Sequence, residues 1–211
     1  DAGGTVALVK SEPGRLILTG SSTYTGTTTI NAGTVQIGNG GAGAKPGPSP
    51  IAMNAGILTF NRNDNFTWNN DVSGFNNQFI KLNTNTMILA STNSYLLPQI
   101  GSVQVNGGTL QINASGRLIA GSDFWIAQGV STGACVINSG TLIVSNAIVV
   151  GRNSTAANGT LTLNLGSIQK FGGANITVGA NNGTGTLTVN GGTLINNGQL
   201  QLAEGVGQGF F

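Results

Sequence analysis

Six carboxylates, eight Lys or Arg, one thiol and no histidine make up the acid–base and nucleophilic inventory of this 211-residue chain. Without His, Ser-His-Asp and Cys-His catalysis and most zinc or copper sites are excluded. The carboxylates are Asp1, Glu12, Asp64, Asp71, Asp123 and Glu204. Asp71 and Asp123 each follow, by 17 residues, an Asn that ends an apolar alternation (Asn54 and Asn106). Two strand layers apart, roughly 10 Å, they would have the separation of a glycosidase pair. Nothing nearby in sequence raises either pKa and no third group recurs, so no catalytic residue is expected. Cys135 stands alone and has no partner for an internal disulfide. Its apolar column neighbours make it a small buried side chain.

Three other stretches carry chemical suggestions. GNGGAG (38–43) fits a G-x-G-x-x-G pattern, but AKPGPSP follows where a nucleotide-binding helix would have to open. The Gly/Pro stretch 38–50 is therefore expected to be a loop, protease-sensitive or lying across a partner. NRNDNFTWNND (61–71) is rich in oxygen ligands, yet lacks the alternating Asp series and the Gly-x-Asp nonapeptide of calcium sites. No metal or cofactor is expected. The aromatics concentrate at Trp68, Phe75 and Phe79, and again at Phe124 and Trp125. Exposed, Trp68, Phe75 and Trp125 would make a candidate sugar-stacking or adhesion surface; buried, they would fill a wide interior.

These residues hang on a repeated phrase: an apolar alternation, Asn, any residue, usually Gly, and a second apolar alternation. It occurs seven times, with Asn at 31, 54, 83, 106, 138, 164 and 190, at spacings of 23, 29, 23, 32, 26 and 26. Alternation on both sides of the Asn predicts two half-buried strands. Two residues after the Asn stand Gly33, Gly56, Asn85, Gly108, Gly140, Gly166 and Gly192. Gly and Asn tolerate a left-handed backbone, so each pair predicts a tight corner, with the Asn side chains stacked in a ladder. Aligning the copies predicts inward columns such as Thr28, Ile51, Ile80, Val103, Cys135, Leu161 and Leu187. A fourth column ends in Lys170 and Asn196, which suggests an opening or a register slip there. Segments 123–129, 147–152, 175–180 and 200–205 supply a third strand per turn.

Three short strands per 23–32 residues predict an all-β fold: one parallel β-helix over 1–211, about seven to eight turns, right-handed by crossover chirality. The intervals 54–82 and 106–137 read as long turns. Charged residues are only 7% and the net charge is +2. That is too thin a charge for a nucleic-acid footprint. No run of 18 apolar residues is present for a transmembrane helix, and no N-terminal secretion signal is visible.

The stretch ALVKSEPGRLILTGSSTYTGTTTINAGTVQIG (7–38) carries Lys10, Gly14, Leu16, Leu18 and Gly20, then Tyr24, Thr25, Gly26, Thr28, Ile30, Gly33 and Val35. It resembles the autotransporter-associated β-strand repeat, also called the passenger-associated transport repeat. The later copies keep only the Asn-corner half. The resemblance implies an extracellular or cell-surface bacterial protein with a β-helical passenger, and it supplies no catalytic residues. The expected role is a non-enzymatic stalk or fibre whose terminal turns stack end to end on further copies. The alternatives are an adhesin for glycans or for host or biofilm surfaces, and a polysaccharide lyase or hydrolase using Asp71 or Asp123.

Overall fold

The computed structural model describes residues 5–74, 77–89, 101–113 and 116–211. Among these residues, twenty-four strands of three to six residues each are joined by turns and loops. Every pairing between them is parallel. The chain is a β-solenoid with three faces, visited in a fixed order. The first face carries Leu8–Lys10, Thr28–Ile30, Ile51–Met53 and Val72–Gly74 as one four-stranded sheet. Arg117–Ala120, Thr141–Val144, Ser167–Lys170 and Thr193–Asn196 form another that takes the same place in each turn. The second face is an unbroken nine-stranded sheet from Arg15–Leu18 to Leu200–Glu204. The third is seven-stranded, from Phe66–Trp68 to Gln208–Phe210. Nine passes across the second face complete eight turns, rising about 38 Å at about 4.8 Å each.

Alternation builds the walls. Thr132–Ile137 reads exposed, buried, half-buried, buried, half-buried, buried, so Gly133, Cys135 and Ile137 point inward. Stacking then makes columns: Val35, Leu58, Phe79, Val103, Phe124, Ile148 and Ile176 lie directly over one another on the second face. All seven are within 2% of full burial. Each contributes about 1.5–3 kcal/mol by leaving water.

The phrase does not stack on itself from end to end. Asn31 and Asn54 turn the chain from first face to second, Asn83 and Asn106 from second to third, and Asn138, Asn164 and Asn190 from third to first. Within each group the spacing is one turn. The 29- and 32-residue intervals are therefore not long turns. Asn61 lies 7 residues past Asn54, at the next corner, and Asn83 sits one turn above Asn61. Asn113 likewise lies 7 residues past Asn106, one turn below Asn138. Each long interval is one turn plus one face. The expected inward column accordingly breaks into three. Thr28 lies on Ile51; Val103 stacks on Phe79 of the second face, where Ile80 points outward beside Gln104; and Cys135 lies between Leu110 and Leu161 on the third. The column ending in Lys170 and Asn196 does not slip: Val144, Lys170 and Asn196 are in register.

Candidate functional site

Three devices hold the corners. The first is the Asn ladder, in segments rather than one column. Asn54 Nδ2 donates to Asn31 Oδ1 at 2.8 Å, and Asn83 to Asn61 at 3.3 Å. The longest run climbs from Asn113 through Asn138 and Asn164 to Asn190, with distances of 2.9, 2.9 and 2.8 Å. Among the described residues Asn106 joins no ladder: it donates to Gln104 and accepts from the Gln128 amide. Asn61 and Asn113 complete two ladders, yet the phrase does not pick them out, because the glycine two residues on is lacking. An Asn ending any inward alternation, whatever the corner length, is the signal that finds them. Asn164→Ala removes one donated and one accepted bond at a half-buried corner. It is expected to cost about 1–2 kcal/mol in chemical unfolding.

The second device is glycine. Gly33, Gly56, Gly108, Gly166 and Gly192 take the left-handed backbone expected of them. Gly140 does not. A side chain there would put Cβ 2.4 Å from Ile112 Cγ2 and 2.5 Å from the Gly116 carbonyl, so close approach explains it. Asn85 is also not left-handed; Asn83 takes that conformation instead. A further stack, Gly108, Gly133, Gly159, Gly185 and Gly209, opens the third face turn after turn. There each added Cβ would meet the backbone of a neighbouring strand or, at Gly108, of the corner 83–85.

The third device is a lysine at the last inward position before a corner. Lys81 lies between Phe60 and Val105 and is fully buried. Its Nζ donates to the Gly107 carbonyl at 2.8 Å, Asn85 Oδ1 at 3.1 Å and the Asn83 carbonyl at 3.2 Å, with a longer contact to the Leu82 carbonyl. Burial lowers its pKa to about 8. Asn85 thus exists for its carbonyl, which holds Lys81, and its Nδ2 donates to the Asp64 carbonyl. Lys10 makes the same reach toward the carbonyls of Glu12 and Ala32, and Lys170 toward that of Gly172. Lys10 and Lys81 each tie their own corner to the one above.

The remaining candidates scatter. Asp71 precedes the first face and Asp123 the second, so equal offsets from motif Asn place them on different corners. Asp123 accepts from Asn146 and the Ala147 amide. Several oxygens of the 61–71 stretch are spent within the fold: Asn61 accepts from Asn83, Asn65 from the Thr86 amide, and Asp64 pairs with Arg62 at 2.5 Å, whereas Asp71 Oδ1 is buried without a hydrogen-bond partner. That guanidinium holds the Asp64 carboxyl below its usual range. Cys135 is fully buried, which pushes its thiol well up. Trp68, on the third face, is 5% exposed and packs edge-on against Phe60. Trp125 faces outward on the second face under the Arg152 guanidinium. They share no platform, and Phe75 lies outside the described residues.

The Gly/Pro loop divides in two. Residues 41–43 are exposed, whereas Ala44 is buried and Lys45 bridges Ser21. Arg62 donates to the Ala44 carbonyl at 2.7 Å, and Asn70 to those of Gly47 and Ser49. Between this loop and the edge strand Phe66–Trp68 lies a cleft of about 490 Å³, lined by Ser22, Thr23, Lys45, Pro46, Pro48 and the segment from Phe66 to Asn70, with Arg62.

The passenger-associated transport repeat family model matches residues 8–37 and 79–112. Both stretches contain a corner lysine, Lys10 and Lys81. An adhesin autotransporter of Brucella suis biovar 1 (strain 1330), BmaC, is 43% identical over 75 residues, which are 35% of this chain and 2% of that protein. The chain thus spans a very small part of the relative it matches. No solved structure matches it. With three faces of stacked parallel strands and two stretches that match this repeat, the chain resembles the β-solenoid passenger segments of secreted and cell-surface autotransporter proteins.

Proposed function

We propose that the chain is a non-enzymatic structural segment of a secreted or cell-surface bacterial passenger, a length of rigid shaft that stacks end to end. The unbroken nine-stranded sheet carries this reading. Its columns rise without interruption, so each turn offers the next both a backbone ladder and a matching apolar floor. The register holds through the last described turn, where Leu200 and Leu202 continue the columns of Ile176 and Val178. A contact that adds one such turn to another does not close on itself and so propagates. The resemblance to a segment of a much longer adhesin passenger supports the same reading. That Asp71 and Asp123 stand on different corners speaks against the hydrolase alternative. Electron microscopy and sedimentation of the purified chain test the stacking. Rods that lengthen with concentration are expected, and Leu202→Lys should shorten them. Single short rods at every concentration would remove end-to-end stacking while leaving the shaft itself in place.

A further inference from the structure

We infer that the cleft beside the loop 44–48 is a binding site for a short anionic oligosaccharide, independent of any role as a shaft. The cleft exists because the wall is interrupted there. Lys45 pairs backward through its own amide and carbonyl with Gly20 and Ser22, at 3.1 and 3.0 Å. Its neighbours would have to pair forward with Phe66–Trp68. Pro46 has no N–H to give, and the Ala44 carbonyl is already taken by Arg62. Phe66–Trp68 is left as the edge of its sheet, and the ladder opens into a cleft.

The lining suits a sugar. Pro48 and Phe66 offer apolar surface for the C–H face of a pyranose, with the buried Pro46 and Trp68 behind them. Ser22, Thr23, Thr67, Asn69 and Asn70 supply neutral hydroxyl and amide groups for its rim. Thr67 and Asn69 are exposed, and Asn70 Nδ2 is spent on the loop, so its Oδ1 is the atom left to accept. The Arg62 guanidinium lies 4.1 Å above the Phe66 ring and is held by Asp64, which fixes the inner wall. Lys45 is exposed, forms no ion pair among the described residues, and no acid lines the cleft. Its ammonium is therefore the anchor for a carboxylate or sulfate on the sugar. The volume falls within that of small-ligand sites, about 300–1,000 Å³.

Trp68 lines the cleft and Trp125 lies on another face, so Trp125→Phe leaves Trp68 as the reporter. This protein is titrated with sialyllactose, a glucuronate-containing oligosaccharide, a heparin oligosaccharide, lactose and an oligoglutamate peptide. Saturable change in Trp68 fluorescence with one or more of the anionic sugars is expected, weakening as salt is added. The carboxylated and sulfated arms tell which anion is preferred. Lys45→Glu should weaken binding by roughly tenfold or more, and Arg15→Glu, an equal charge change on the second face, should not. Thermal melts of both variants confirm the fold. No response to any anionic sugar, equal binding by Lys45→Glu, or a preference for lactose or the peptide would overturn the assignment.

Discussion

Gly151→Ala is expected to destabilise the solenoid by about 3 kcal/mol, whereas Ala127→Gly, one turn below, should change stability by less than about 0.5 kcal/mol. The two residues hold equivalent positions on the second face. There Ala127, Gly151, Gly179 and Ala203 all take positive φ, at 57°, 72°, 74° and 62°. The pairing skips them, so each strand bends at this point. An L-residue in that conformation costs about 1–2 kcal/mol. At Gly151 the added methyl would also lie 1.8 Å from the Thr184 carbonyl, and at Gly179 2.0 Å from that of Gln208. Those are backbone atoms of the third-face wall and cannot swing aside; overpacking of this kind adds about 1–3 kcal/mol. Ala127 is already accommodated and fully buried. There, relief of strain and the greater freedom of an unfolded glycine offset one another. Urea unfolding of both variants checks the contrast. Equal losses, or none at Gly151, would mean that the third-face wall yields.

The second large effect belongs to Lys81. Lys81→Met keeps the volume but leaves the carbonyl of Gly107 and Oδ1 of Asn85 without their donor inside a buried corner. Relief from burying a charge offsets part of this, and a net loss of about 2 kcal/mol is expected. The pH profile isolates the cause. Burial lowers the folded pKa to about 8, below the ordinary value of 10.5. Below about pH 8 both states carry the proton and the profile is flat. Between about 8 and 10.5 the unfolded chain holds a proton that the folded chain has released. Unfolding free energy therefore rises with pH across that window. Lys170, also lowered by burial, acts in the same direction. The difference between wild type and Lys81→Met should consequently widen from pH 8 to 10.5. A constant difference over that range would place Lys81 outside the titration.

Much of this architecture is legible in the residues. The alternation around Asn164 and Asn190 names strand, corner and strand with the right faces inward, and segments such as 175–180 reveal the third strand. The sequence pattern also places Lys170 and Asn196 in one column. It does not show that their polar ends turn back onto corner carbonyls, because alternation reports direction and not where a long side chain goes. The phrase misleads at Asn83 and Asn138. A corner looks the same whichever two faces it joins, so like residues align in sequence while standing a third of a turn apart. The cleft is illegible for a related reason. Pro46 and Pro48 mark a break, but only the backward pairing of Lys45 shows which neighbour is left unpaired.

The passage of the phrase from corner to corner has a consequence for anything this shaft displays. Sequence unit and structural turn behave like the two scales of a vernier, agreeing over most steps and advancing by one division at two of them. A feature tied to the phrase is thus presented at a new azimuth after each advance, whereas one tied to the turn stays on a single line. Removing residues 55–61, or residues 107–113, would cancel one of the two advances. It would also rotate every later corner by one face relative to the earlier ones.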